Sequence, residues 1–226
     1  MRTLFHLSAI EASLKGFQRV FPRINDRLAI RREDLTDEMV DQIVEAYGFL
    51  NSLLKKEMDL FTPAGLHALL EMNHIVLCGT DRRTRTQYYM HLEETRKSFL
   101  SKIRPIKDWV LRRRRESDPY YLATGFYSRM LSRPQLFLEG NHRTGNVILN
   151  YLLISKGSAP YIVTADNARG YFDISGDIKF TENGNYLDSA LRMPGHRNRF
   201  RTYLKAEVQQ RFLSCANGND GGTNRD

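Results

Sequence analysis

The sequence predicts an all-α protein, and three observations carry that reading. Apolar residues recur at helical spacing from Thr36 onward, the stretch from Val147 to Ile154 is apolar on all sides, and strand-like composition is confined to residues 81–94. With 226 residues, 41% of them hydrophobic and 27% charged, the chain has enough nonpolar surface for one sizeable core. The expected organisation is an N-terminal arm packing on the body (1–34), one main domain (35–214) and a disordered tail (215–226) ending in GNDGGTNRD.

Residues 1–34 mix Pro, Arg and scattered apolar side chains without a sustained period, hence the reading as an arm. Beyond them Val40, Ile43, Val44, Tyr47, Leu50, Leu54 and Met58 share one helical face, and Asp37 and Glu38 suit the positive end of that helix. Thr62-Pro63 supplies an N-cap and a proline at the first helical position, after which Leu66, Leu69, Leu70, Asn73 and Leu77 form a stripe ending at Gly79. The Thr- and Tyr-rich DRRTRTQYYMHLEE at 81–94 predicts a short β-hairpin or extended flap. Residues 95–116 read as a helix burying Phe99, Ile103, Ile106, Trp109 and Val110, with a break or kink at Pro105. Asp118-Pro119 opens the next helix, which carries Leu122, Ala123, Phe126, Tyr127 and Met130 and ends near Pro134. A central buried helix spans the Val147–Ile154 run and stops at Gly157, and further helices are expected near 166–174 and 196–213.

Several classes are disfavoured at this level. Two cysteines, Cys78 and Cys215, give neither a disulfide framework nor a metal cluster and suit a reducing compartment. No stretch approaches the roughly 18–20 apolar residues of a membrane span, and charges interrupt the start where a signal peptide is apolar. A cytoplasmic location is expected, or delivery to another cell without a cleaved signal. The net charge of +8 is partly local, because residues 101–150 hold ten basic and four acidic side chains, including Arg112–Arg115. That run reads either as a solvated helix face or as a surface for nucleic acid, phosphate or an acidic protein.

The chemistry is concentrated in QLFLEGNHRTGN, Gln135 to Asn146, which leads into the central helix. N–H groups at a helix start have no intrahelical partners and sit at the positive end of the macrodipole, so they attract anions. Gly140 and Gly145 permit close approach of the backbone, Asn141 offers an amide donor, and Arg143 a forked cation suited to phosphate. Glu139 beside such a cradle suits Mg²⁺, which commonly takes one or two carboxylates together with the substrate's own phosphates.

This stretch resembles the signature of Fic/Doc (Fido-fold) proteins: His, any, Phe, any, Asp or Glu, Gly, Asn, Gly or Lys, Arg, any, any, Arg. Phe137, Glu139, Gly140, Asn141 and Arg143 match it in register, and the helices around the loop extend the likeness over roughly residues 35–210. The resemblance implies a Fic-like helical bundle in which Phe137 anchors the loop, Glu139 binds Mg²⁺, and Gly140, Asn141 and Arg143 handle the phosphates of a nucleotide, ATP above all. It further implies a transferase that moves AMP or another phosphate-containing group to a protein hydroxyl. The protein target would dock at a flap, residues 84–94, by pairing with an extended segment.

Three departures qualify that expectation. Gln135 stands at the position of the motif histidine, and a carboxamide cannot act as the general base, a role that contributes roughly 10²–10⁴-fold. Asn146 replaces the second arginine, and His142 stands where Gly or Lys is usual, offering an imidazole as substitute base or phosphate donor. The alternative function is therefore a non-catalytic, pseudoenzyme-like protein that uses the same loop to sense a nucleotide or to dock a partner.

Overall fold

The computed structural model describes residues 3–28, 31–182 and 184–215. Helices dominate: α1 (Leu7–Asn25), α2 (Asp37–Lys55), α3 (Pro63–Cys78), α4 (Arg82–Gln87), α5 (Tyr89–Arg112), α6 (Pro119–Leu131), α7 (Asn141–Ser155), α8 (Ala168–Lys179) and α9 (Met193–Glu207). A π-helical turn, Asp188–Arg192, leads into α9. The all-α expectation holds, and one short antiparallel β element accompanies the helices. It joins β1 (Thr3–Phe5) to β2 (Leu213–Cys215), with Leu4 opposite Ser214, so that it ties the two ends of the described chain together.

The starts of several helices follow from local chemistry. Thr36, Thr62 and Asp118 each accept from backbone N–H groups in the first turn of α2, α3 and α6. Pro63 and Pro119 occupy first-turn positions where a missing N–H costs nothing. Gly157, at φ 77°, lies two residues beyond the end of α7 in the left-handed region open to glycine.

Helix α7 is the centre of the fold. From Thr144 to Ile154 every residue is buried, with α6, α2 and α3 packed around it. The buried polar side chains of such a helix call for partners. Asn150 donates to the Tyr47 hydroxyl (2.7 Å) and to the Tyr161 carbonyl (2.7 Å), and accepts from the Tyr161 N–H (2.6 Å). One amide thus fastens α7 to α2 and to the segment before α8.

Three sequence expectations change. The N-terminal arm is a 19-residue helix, α1, which buries Ile10, Leu14, Phe17 and Phe21 at spacings of four, three and four. Gly16 and Pro22 obscured that stripe, yet α1 runs on through Pro22 to Asn25, forgoing the hydrogen bond to the Gln18 carbonyl. Residues 81–94 are helical as well. The Asp81 side chain accepts from the Thr84 N–H (2.8 Å), and Arg85 donates to the Gly79 carbonyl (2.7 Å) and to Glu71 (2.7 Å). These local bonds outweigh the strand preference of Thr and Tyr. No extended flap edge therefore exists at 84–94 for strand pairing, because its backbone lies in α4 and α5 apart from the joining Tyr88. Finally, α5 continues through Pro105 as one helix, and the last helix ends at Glu207, before a 3₁₀ turn (Gln210–Phe212) and β2. The expected disordered tail, 215–226, lies outside the described residues apart from Cys215.

Helix α6 fits α5 through a glycine. A Cβ built at Gly125 would stand 2.1 Å from Cη2 and 2.7 Å from Cζ2 of Trp109. Overpacking there costs on the order of 3 kcal/mol, against about 1 kcal/mol gained from the better helix propensity of alanine. Gly125→Ala is thus expected to lose about 2 kcal/mol, measured as a lower urea midpoint at unchanged slope. An unchanged midpoint would mean that the indole withdraws freely.

Candidate functional site

The loop between α6 and α7 is built around Asn141. Its Oδ1 accepts from the Phe137 N–H (3.0 Å) and its Nδ2 donates to the Phe137 carbonyl (2.9 Å), closing residues 137–141 into a tight arch. Phe137 is buried and stacks on Phe99, with centroids 5.5 Å apart and planes within 4°, so the arch is anchored in the core. Asn73 on α3 donates to the Glu139 carbonyl and to the Thr144 hydroxyl, both at 3.0 Å. Gly140, the N-cap of α7, has φ 69°, and a Cβ there would meet Asn73 Nδ2 and Leu77 at 3.1 Å. The left-handed backbone favours glycine, and a Cβ would press on both side chains.

The helix that starts here has no side-chain cap. Its first hydrogen bond runs from the Thr144 N–H to the Gly140 carbonyl, which leaves the N–H groups of Asn141, His142 and Arg143 beyond the helical ladder. They stand at the wall of a cleft of about 330 Å³ lined by Gln135, Glu139, Gly140, Asn141, His142 and Arg143. The opposite wall comes from segments far away in sequence: Arg32 and Glu33 ahead of α2, and Phe172 and Lys179 on α8.

Each loop side chain has a definite environment. Gln135 donates through Nε2 to the Leu131 carbonyl (3.1 Å), while its own carbonyl accepts from Lys102 (2.8 Å). Glu139 is exposed at the rim, with His91 at 3.6 Å. Arg143 is largely buried, donates to the Val76 carbonyl (3.2 Å) and has Glu33 at 3.8 Å; burial lowers its pKa. Gly145 and Asn146, expected among the phosphate-handling residues, do not line this cleft. Gly145 receives α6, since a Cβ would stand 2.6 Å from Met130 Cε, and Asn146 accepts from the buried Tyr47 hydroxyl (3.1 Å). The Asn141 amide is also committed to Phe137, so that residue can offer a ligand only its backbone N–H.

His142 is the most constrained group of the site. Arg32 Nη1 lies 3.2 Å from Nε2, the Tyr127 hydroxyl 3.3 Å from Nδ1, the Tyr171 hydroxyl 2.7 Å from that of Tyr127, and the His142 carbonyl 3.4 Å from Tyr171. A guanidinium only donates, so Nε2 accepts and the proton of the neutral ring sits on Nδ1. The rest follows in order: Nδ1–H donates to Tyr127, Tyr127 to Tyr171, and Tyr171 back to the His142 carbonyl. Burial, with Arg32 and Lys179 nearby, lowers the imidazole pKa to about 3. The expected substitute base therefore has its lone pair engaged by a cation and little affinity for a proton.

Arg32 and Lys179 were not singled out by the sequence. Arg32 reaches His142 with Nη1 and the Phe172 carbonyl with Nη2 (3.4 Å), while its Nε is buried without a partner. Burial and the nearby Arg32 and Arg133 lower the pKa of Lys179. Among the described residues no carboxylate lies within ion-pair distance of Arg32 or Lys179. The run Arg31-Arg32-Glu33-Asp34 was the only signal in the sequence, and nothing in it tells that Arg32 faces the loop 110 residues later.

No family model, curated protein or solved structure matches the chain. Among the described residues no helix is long and apolar enough to cross a membrane, and no group of three or more His, Cys, Asp or Glu side chains is placed to hold a metal ion.

The His142 ring gives a pH prediction. Its pKa of about 3 in the fold lies below the 6.5 of a free imidazole, so between these values unfolding takes up a proton and stability falls as pH falls. The slope is on the order of 1 kcal/mol per pH unit. His142→Gln, which stays neutral, should lose less melting temperature than the parent between pH 7 and pH 5. Parallel curves would show that the ring is free to protonate in the fold.

Proposed function

We propose that the chain is a Fic-like protein that binds a phosphate-bearing nucleotide in the α7 cleft and holds it without efficient transfer. The observation that carries the proposal is the convergence of uncapped α7 N–H groups with Arg32, Lys179 and Arg143 on one cleft, where the exposed Glu33 beside Arg143 is the only carboxylate paired with these three cations among the described residues. Half-buried cations favour an anionic guest, and helix N-termini bind phosphate through their amides. A volume of about 330 Å³ is at the small end of the roughly 300–1,000 Å³ of small-molecule sites. The match of Phe137, Glu139, Gly140, Asn141 and Arg143 to the Fic signature supports a nucleotide, ATP foremost, as the source of the phosphate.

Because no group of three or more His, Cys, Asp or Glu side chains among the described residues is placed to hold a metal ion, Mg²⁺ would come with the nucleotide, held by its phosphates and by Glu139 at the rim. Binding is favoured over transfer because Gln135 has no basicity and the His142 lone pair faces Arg32. Transfer of AMP to a protein hydroxyl is the second reading. It is favoured by the open position of Glu139 beside His91, on the same turn of α5 as the exposed Tyr89 and Met90, where a target can approach.

Millimolar ATP with Mg²⁺ is expected to raise the melting temperature by roughly 3–5 °C at ten times its Kd. Arg32→Gln and Lys179→Gln should each remove most of that rise. No shift with ATP, ADP or pyrophosphate would defeat the proposal. Intact-mass spectra of the protein and of added hydroxyl-bearing targets separate the two readings, since an AMP adduct would favour transfer.

A further inference from the structure

A second group of unneutralised cations lies on the other side of α6. Trp109 of α5 carries the Arg129 guanidinium 4.0 Å and the Arg113 guanidinium 4.6 Å from its ring. Beside this pair a cleft of about 280 Å³ is lined by Trp109, Tyr121, Arg197 of α9 and Arg201, so that Arg129 and Arg113 reach it only across the Trp109 ring. Arg129 donates to the Gly125 carbonyl (3.0 Å) and Arg197 to the Ser128 hydroxyl (2.7 Å), which leaves most of their N–H groups unused.

No carboxylate balances this cluster. Among the described residues none is within ion-pair distance of Arg113, Arg129 or Arg197, and Asp118, which stands nearby, is already committed. It accepts from two N–H groups at the start of α6 and pairs with Arg201 and with Lys205 (3.4 Å). Arg201, at the edge of the same cleft, still has a buried Nε without a partner. Burial and neighbouring arginines push Arg129 down to about 9, and burial lowers Arg197 as well. Guanidiniums gathered in this way repel one another.

Forked guanidiniums around a concave, partly aromatic floor are the chemistry that recognises phosphate oxygens, whereas lysine-like point charges would give no such geometry. We infer that the cleft between α5, α6 and α9 is a second anion site, in which Arg197 lines the cleft and Arg129 and Arg113, over the Trp109 ring beside it, supply further positive charge to a phosphate group. The phosphate belongs either to a small phosphoanion or to the backbone of a single-stranded nucleic acid that also touches the adjoining Arg112–Arg115 run. The site is independent of the α7 cleft.

Trp109 is the only tryptophan of the chain, so its fluorescence reports on this cleft alone. The whole protein is titrated at constant ionic strength, in one arm with inorganic phosphate and in the other with a single-stranded oligonucleotide lacking terminal phosphates. A saturable change is expected in at least one arm, weakened tenfold or more by Arg129→Gln and by Arg113→Gln but unaffected by Arg32→Gln. The arm that binds more tightly names the source of the phosphate. Arg113 stands at the end of α5 and contacts the Trp109 ring, so Arg113→Gln should fold normally, checked by a circular-dichroism spectrum like the parent's. The inference is overturned if neither arm changes the fluorescence, or if Arg113→Gln and Arg129→Gln bind as the parent does.

Discussion

The carboxamide of Asn141 exchanges two hydrogen bonds with the backbone of Phe137, and the course of the chain into α7 depends on that exchange. Phe137 is buried, so without that exchange its N–H and carbonyl would lack partners, a loss of about 1–3 kcal/mol for each group. With the arch closed, Phe137 reaches Phe99, the Glu139 carbonyl meets Asn73, and Gly140 turns into the left-handed region that aims α7 inward. The start of the most buried helix is then capped by no side chain. Its amides face a cleft, because the Asn141 side chain at the start of the helix is used in holding the arch.

Electrostatics extends the same trade. A fold optimised for stability alone would place carboxylates beside Arg32, Lys179, Arg129 and Arg197, because buried charges without partners are costly. The described residues instead leave one set of cations lining the α7 cleft and another gathered around Trp109, beside the cleft on the other side of α6. Tyr127 and Arg129, two residues apart on that helix, belong to different sets: the first supports His142 through its hydroxyl, and the second lies over Trp109. Like charges held together in the free protein are a reservoir of binding energy for an anion, since an arriving phosphate relieves repulsion as well as forming hydrogen bonds. His142 fits this scheme as a neutral spacer, kept uncharged so that it accepts from Arg32 rather than adding to the positive field.

What could be read in the letters followed the range of the interactions. The caps at Thr36, Thr62 and Asp118 and the all-buried run after Val147 are local, so the helices they start or fill were legible. Helix α1 was missed because its stripe of Ile10, Leu14, Phe17 and Phe21 is interrupted by charged residues and by Gly16. Residues 81–94 misled because Thr and Tyr favour strands on average, while Asp81 capping Thr84 and Arg85 bonding Gly79 decide the matter in place. At the site, the loop was visible as a string and the cations opposite it were not. Arg32 and Lys179 reach the cleft only through the packing of α8 and of the segment before α2, and no spacing rule connects them to Gly140.

The same geometry changes what the loop's resemblance can bear. Of the five positions that match the Fic signature, Phe137 packs in the core, Gly140 supplies a backbone conformation, and Asn141 spends its side chain on Phe137. Those three letters are demanded by the shape of a chain that must arch and then enter a buried helix, whatever sits in front of it. Glu139 and Arg143 alone have side chains with anything left for a ligand, and Arg143 shares its guanidinium with the Val76 carbonyl. The matching string therefore speaks first for a loop of a particular form, and that form itself creates an anion site by leaving amides uncovered. Catalysis asks for more than the form, namely a base whose lone pair is free to receive a proton. At the one imidazole within the loop, that lone pair is turned towards a guanidinium.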